Sequence, residues 1–313
     1  MKRIVVVVCV AACFLACKKE PSKKPIDPPE PPAKTDLTIV AQVSDNESRT
    51  QHSDAESGLK LSWAASDNIG VYVTAEEESY ASNVAYKADE ASAKSGFTAV
   101  GEKAEWKDEV LMHSFYAYYP YAQEAGTKYS EVAVTLPALQ TQSAAGSTQH
   151  LAALDFMYAA KEKTTRPEDG SVELAFKHAF SVLGLSLTAT EGTTVTIDGI
   201  VLRNSNQNGI LAAEDAVINL ATGKLDYSAA KTSKEIELTF AQPLALTEES
   251  VDRAYMQIIP GHAGTQLDII ALVDGEEKLL VTKAIPAAGL PAGVIANVAL
   301  SVQGEGDGPR PED

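Results

Sequence analysis

Along most of the chain apolar positions recur at every second residue, which is the period of a strand with one buried face. Leu37-Thr-Ile-Val-Ala-Gln-Val43 and Asn68-Ile-Gly-Val-Tyr-Val73 are β-rich runs. Ser114-Phe-Tyr-Ala-Tyr-Tyr-Pro-Tyr121 is aromatic, and Pro120 points to an edge or a strand end. Val132-Ala-Val-Thr-Leu136 alternates and stops at Pro137. Further on, Val172, Leu174, Phe176 and Phe180 share one phase, and Leu183, Leu185 and Leu187 the opposite one. That flip, near Ser181 to Gly184, predicts a bulge or a break between two strands. Later runs are 195–202, 210–220, 236–240, 254–259, 267–273, 278–285 and 295–302. Asp198-Gly199, Asn208-Gly209, Thr222-Gly223 and Asp274-Gly275 read as turn signals between strands. No long stretch has helical period; short-helix candidates are 144–154 and the turn at 246–252. Short strands at this spacing predict an all-β sandwich or barrel.

The segment Glu162-Lys-Thr-Thr-Arg-Pro-Glu-Asp-Gly170 is polar, holds Pro and Gly, and separates two strand-rich halves. It predicts one sandwich domain over residues 37–165 and a second over 171–303, each of about 130 residues. No internal repeat at a fixed period is visible. Residues 304–313 have no apolar residue except proline and read as an acidic, disordered tail.

The amino terminus breaks the strand pattern. Lys2 and Arg3 precede the apolar run Ile4 to Ala16, which is too short to span a bilayer and suits a signal-peptide core. The run ends in Phe14-Leu-Ala-Cys17, which resembles a bacterial lipobox. That resemblance implies removal of residues 1–16 and acylation of Cys17. Val10-Ala-Ala-Cys13 fits the same pattern but leaves a shorter apolar core, so Cys17 is preferred; an ordinary secretory signal is the plain alternative. Residues 17–36 carry six prolines and five lysines. Such density favours extended polyproline II, a spacer reaching about 50 Å at most.

The full chain has 313 residues, 45% hydrophobic and 22% charged, with a net charge of −17. Without residues 1–16 there remain 24 basic and 43 acidic residues, a charge of −19. This balance argues against nucleic acid as a partner and against an electrostatic hold on anionic lipid. The three cysteines are Cys9, Cys13 and Cys17, so the body has no disulfide framework and no thiolate chemistry. No nucleophile elbow, phosphate loop, zinc pair or calcium loop is present, and no cofactor, metal or enzymatic activity is expected. His52, His113, His150, His178 and His262 are too scattered for two to serve as ligands from one element. His178 reads as a buried, hydrogen-bonded core histidine. Tyr116 and Tyr118 should face one way and Tyr119 and Tyr121 the other, so at least one pair belongs to the core.

Four blocks resemble the fimbrillin (type V pilin) family of Bacteroidetes. They are Trp63-Ala-Ala-Ser-Asp-Asn-Ile-Gly-Val-Tyr72, Phe115-Tyr-Ala-Tyr-Tyr-Pro-Tyr121, Asp155-Phe-Met-Tyr-Ala159 and Leu174-Ala-Phe-Lys-His-Ala-Phe180, in the family's order. The resemblance runs from about Leu37 to Val302. It implies two tandem transthyretin-like Greek-key β-sandwich domains behind a lipoprotein signal and a Pro-rich tether. It implies an outer-membrane lipoprotein that becomes a fimbrial (pilus) subunit and supports adhesion. A surface protease would cut after an arginine following the first strand, and another subunit's strand would fill the groove left behind. Arg49, with Thr50 after it, fits that cut; Leu37 to Val43 would be the strand removed. The family's polymerising members carry further carboxy-terminal donor strands, and here an acidic tail follows Val302. The chain is therefore expected to be a tip, anchor or accessory subunit rather than a stalk. Expected partners are other fimbrial subunits, the outer membrane through the lipid, and a host or bacterial surface ligand. The competing reading is a glycan-binding surface lipoprotein of tandem β-sandwiches; with Trp63 in a family core block, Trp106 is its one free aromatic candidate.

Overall fold

The computed structural model describes residues 37–43, 62–76, 78–108 and 110–306. They form an all-β molecule with one short helix among the described residues. In chain order the first elements are β1 (Thr38–Val43), β2 (Asn68–Ala75), β3 (Glu78–Ala88), β4 (Lys94–Ala99) and β5 (His113–Tyr119). Then come β6 (Val132–Leu136), β7 (Leu139–Gln142), α1 (Gln149–Leu154), β8 (Met157–Thr164) and β9 (Ser171–His178).

Seven of these strands close a barrel in the order β1-β4-β3-β2-β5-β8-β9. Neighbours are antiparallel except at the closure, where the first strand lies parallel to β9. Inward positions hold Ile39, Ile69, Val71, Phe97, Phe115, Leu174 and Phe176, with both tryptophans buried among them. The barrel is therefore packed solid. β2 is buried on both faces, because its outward side chains meet a second core rather than water.

The second half adds β10 (Ser181–Ala189), β11 (Thr193–Asn204), β12 (Ala212–Asn219), β13 (Lys224–Asp226) and β14 (Lys231–Ser233). It ends with β15 (Glu235–Leu246), β16 (Asp252–Ile258), β17 (Gln266–Val273), β18 (Glu276–Ala284), β19 (Ile295–Val302) and β20 (Glu305–Gly306). Around its own core the order is β16-β10-β19 in one layer and β15-β11-β17-β18 in the other. β16 sits beside β15, and β19 beside β18, without a ladder between them. Read as a ring, this is the barrel's order again. In both rings the opening strand runs parallel to the closing one and antiparallel to the fourth. The repeat lies in topology and leaves no fixed period in the sequence.

The two rings interlock. Between β5 and β8 the chain leaves the barrel; β7 joins the second ring's sheet beside β15, and β6 pairs with β12. A third core forms there, from Tyr72, Tyr116 and Tyr118 on the barrel's outer wall and Val134, Leu136, Ile218 and Leu220 opposite. Gly70 lets the Tyr118 ring lie flat against β2 on that wall: a Cβ on it would stand 2.1 Å from the ring.

β7 also closes an edge. The Gln140 side chain accepts the Gln257 backbone N–H at 2.9 Å and donates to the Gln257 carbonyl at 2.7 Å. Gln142 does the same for the Tyr255 N–H (2.9 Å) and the Arg253 carbonyl (2.8 Å). Two buried amides thus stand in for a strand along the open side of β16.

Several expectations meet the structure directly. The phase flip is a break: β9 ends at His178, β10 begins at Ser181, and the two strands belong to different rings. Sheet pairing continues across 162–170, since β9 lies beyond that segment and closes the barrel. Asp198-Gly199 is no turn. β11 runs through it with a register shift, and a Cβ on Gly199 would stand 2.6 Å from the Leu238 carbonyl oxygen. Glycine here permits close backbone approach. Asp274-Gly275 does turn the β17–β18 hairpin, with both residues at positive φ. Tyr121 departs from the predicted alternation. β5 ends at Tyr119, so the period does not carry past Pro120, and Tyr121 packs beside Tyr116 and Tyr118 rather than with Tyr119.

Candidate functional site

Cys17, Arg49 and Thr50 lie outside the described residues. The strand that Arg49 follows does not, and its seat is the candidate site. β1 fills a slot between β4 and β9. Ile39 lies between Phe97 and Val172, and Ala41 between Ser95 and Leu174. Ile39 and Ala41 are fully buried, Leu37 nearly so, while Thr38 is exposed and Val40 and Gln42 are half-buried. The β-rich run from Leu37 to Val43 thus has one inward face and one outward face. Burying Leu37 and Ile39 is worth roughly 2 kcal/mol each.

Both tryptophans of the chain brace this slot. The Trp63 indole Nε1–H donates to the Ala41 carbonyl at 3.1 Å. The Trp106 Nε1–H donates to the Gly170 carbonyl at 2.9 Å, and that carbonyl also accepts the Thr38 backbone N–H at 3.2 Å. One indole therefore supports the end of the strand and the other its beginning. Trp63 meets Phe97, Tyr119 and Phe176 edge-on at 5.2, 5.6 and 5.1 Å. Burial, then the Asp67 carboxylate, pushes the Tyr119 hydroxyl up to about 12, so it stays protonated beside that indole. On the outer side Lys94 of β4 pairs with Glu173 of β9, across the strand between them. Both are half-exposed, so this strap adds little to stability.

The other sequence candidates have structural places. Trp106 is buried and hydrogen-bonded, so it offers no surface for stacking on a sugar. Tyr116 and Tyr118 are buried between the rings. His178 is buried, its Nδ1 2.9 Å from Asp155 Oδ1, and Gln257 Nε2 of β16 donates to the same oxygen at 3.3 Å. The pair ties the barrel to the second ring. Burial pushes the His113 imidazole below its usual range, and Lys107 adds to the effect. Among the described residues no three His, Cys, Asp or Glu side chains gather where they could hold a metal ion. The slot's walls were the hard part to read. β4 is Lys-Ser-Gly-Phe-Thr-Ala, with Phe97 as its one large apolar residue.

A protein proposed to act in cell adhesion, from Bacteroides uniformis, shares the fold at a TM-score of 0.56 and 18% identity, over 85% of this chain and 92% of that one. A second such protein, from Bacteroides ovatus, has a TM-score of 0.52 and 21% identity, over 85% and 92% of the two chains. No curated protein matches the chain at a significant level. The family model described as fimbrillin-like matches residues 49–306, which begins just after β1 and spans every later strand. The chain belongs to the fimbrillin-like family.

Proposed function

We propose that this chain is a cell-surface fimbrial subunit that accepts another subunit's strand in place of β1. The observation that carries the reading is the seating of that strand. β1 is hydrogen-bonded on both sides, its inward face is apolar, and residues 44–67, with Arg49 among them, join it to β2. A cut after Arg49 would leave all later strands in one chain. Its departure would bare two unpaired backbone edges and the apolar residues beneath, which an extended apolar segment fills well.

In this account the chain reaches the outer membrane acylated at Cys17 and held off it by residues 18–36. Cleavage between Arg49 and Thr50 then removes the lipid together with β1. A copy left uncut stays on its lipid as an anchor. The rings act as two tandem domains that divide at Ala179-Phe180; the repeated strand order supports this. The last apolar strand, β19, is paired along its length with β10, and β20 is paired with β11. Both are seated within this chain, and the account assigns it a tip or accessory place rather than a stalk.

The test is a mixture. The full chain, cut after Arg49, is incubated with purified fimbrial subunits from the same cell. A heterocomplex that survives unheated detergent electrophoresis, and does not form with the uncut chain, is expected. Equal behaviour of cut and uncut chains would contradict the proposal.

A further inference from the structure

The slot has uneven depth along its length, and Trp63 makes it so. The indole touches Phe97, which lies opposite Ile39 on the β4 side. It also touches Phe176, which lies opposite Val43 on the β9 side. A ring in contact with both spans the intervening level, where Ala41 sits. There the same indole donates its Nε1–H to the Ala41 carbonyl. The indole is itself fixed, buried among three aromatic rings and held by its backbone N–H on the Ser92 carbonyl at 2.9 Å. It has little room to yield to a larger side chain. Two residues earlier the slot is deep enough to bury Ile39 completely.

We propose that Trp63 is the register key of this slot: a strand entering in place of β1 must set a small side chain over the indole, two residues after a large apolar one, with its carbonyl at the small position accepting the Nε1–H. The inference rests on the strand-replacement reading above and adds the chemistry of the incoming strand. Its pattern is large apolar, any, large apolar, any, Ala or Gly, any, apolar. A slip by one residue turns the apolar face outward, as in any sheet. A slip by two keeps the face but drives a bulky side chain onto the indole. Trp63 therefore excludes the two-residue slips that alternation alone permits.

The test uses the full chain with a specific protease site placed within residues 44–61. After cutting, the nicked protein is unfolded and refolded with an excess of labelled peptide, which competes with the chain's own first strand. Four peptides are compared: Leu37 to Val43 unchanged, and the same peptide with Ala41→Gly, Ala41→Leu or Val40→Leu. Incorporation is read by fluorescence after gel filtration. The first two and the outward-facing Val40→Leu peptide should enter within threefold of one another. The Ala41→Leu peptide should enter at least tenfold less well. In a Trp63→Phe protein that gap should fall below threefold. If this variant does not fold, the peptide series on the unsubstituted protein still decides. Equal entry of the Ala41→Leu and unchanged peptides would overturn the role of Trp63 and leave strand replacement standing. Failure of the unchanged peptide to enter would overturn strand replacement itself.

Discussion

At the scale of single residues, polar side chains inside the molecule do work that hydrophobicity cannot report. Gln140 and Gln142 are nearly or fully buried and satisfy four backbone groups along β16. In the sequence Leu139-Gln-Thr-Gln142 they look like surface residues, so nothing in the pattern marks them. Their value appears only when the partner strand is known. Gln142→Ala should cost about 1–3 kcal/mol, because the buried Tyr255 N–H on β16 loses its acceptor. Thr141→Ala, next to it on the exposed face, should cost under about 0.5 kcal/mol. Urea unfolding of the two variants checks the contrast; equal losses would mean that the glutamines do not cap the edge. His178 was legible at this scale, since its setting between Phe176 and Phe180 placed it in the core. Its partner Asp155 was not, being 23 residues away.

At the scale of elements, what could be read followed how many large side chains each strand spends on its buried face. β1, β5 and β17 were evident because they are rich in β-branched, aromatic or other large apolar residues. β3 and β4 were not, because small Ser, Ala and Gly residues fill many of their positions, and β8 was not, because its second half is Lys-Glu-Lys-Thr. The β4 wall of the candidate site was therefore hidden, although its occupant was plain. Pairing, too, was out of reach: that β9 closes the first ring depends on contacts far apart in the chain. For β1 the two faces should differ sharply. Ile39→Ala removes a fully buried side chain and should cost about 2–5 kcal/mol. Val40→Ala, on the half-buried outer side, should cost less than about 1 kcal/mol. If urea unfolding gave the two variants the same midpoint, β1 would not be seated as described.

At the scale of the whole molecule, two rings of one topology are bound by exchange. β6 and β7 depart from the first ring and pair in the second, and the tyrosine-lined core closes over the junction. Neither ring can unfold without stripping strands or core from the other. Calorimetry should therefore give one cooperative transition whose calorimetric and van't Hoff enthalpies agree. Two separated transitions would mean that the junction is weak. The sequence-level division at 162–170 missed this bond, because a polar loop inside a barrel reads like a linker.

The central claim is that the first strand is a removable closure on an otherwise continuous molecule. Mass spectrometry of the protein taken from the cell surface tests it most directly. The account predicts a population that begins at Thr50, lacking both the acyl group and residues 37–43. If every copy instead begins at acylated Cys17 with its first strand in place, the claim is contradicted.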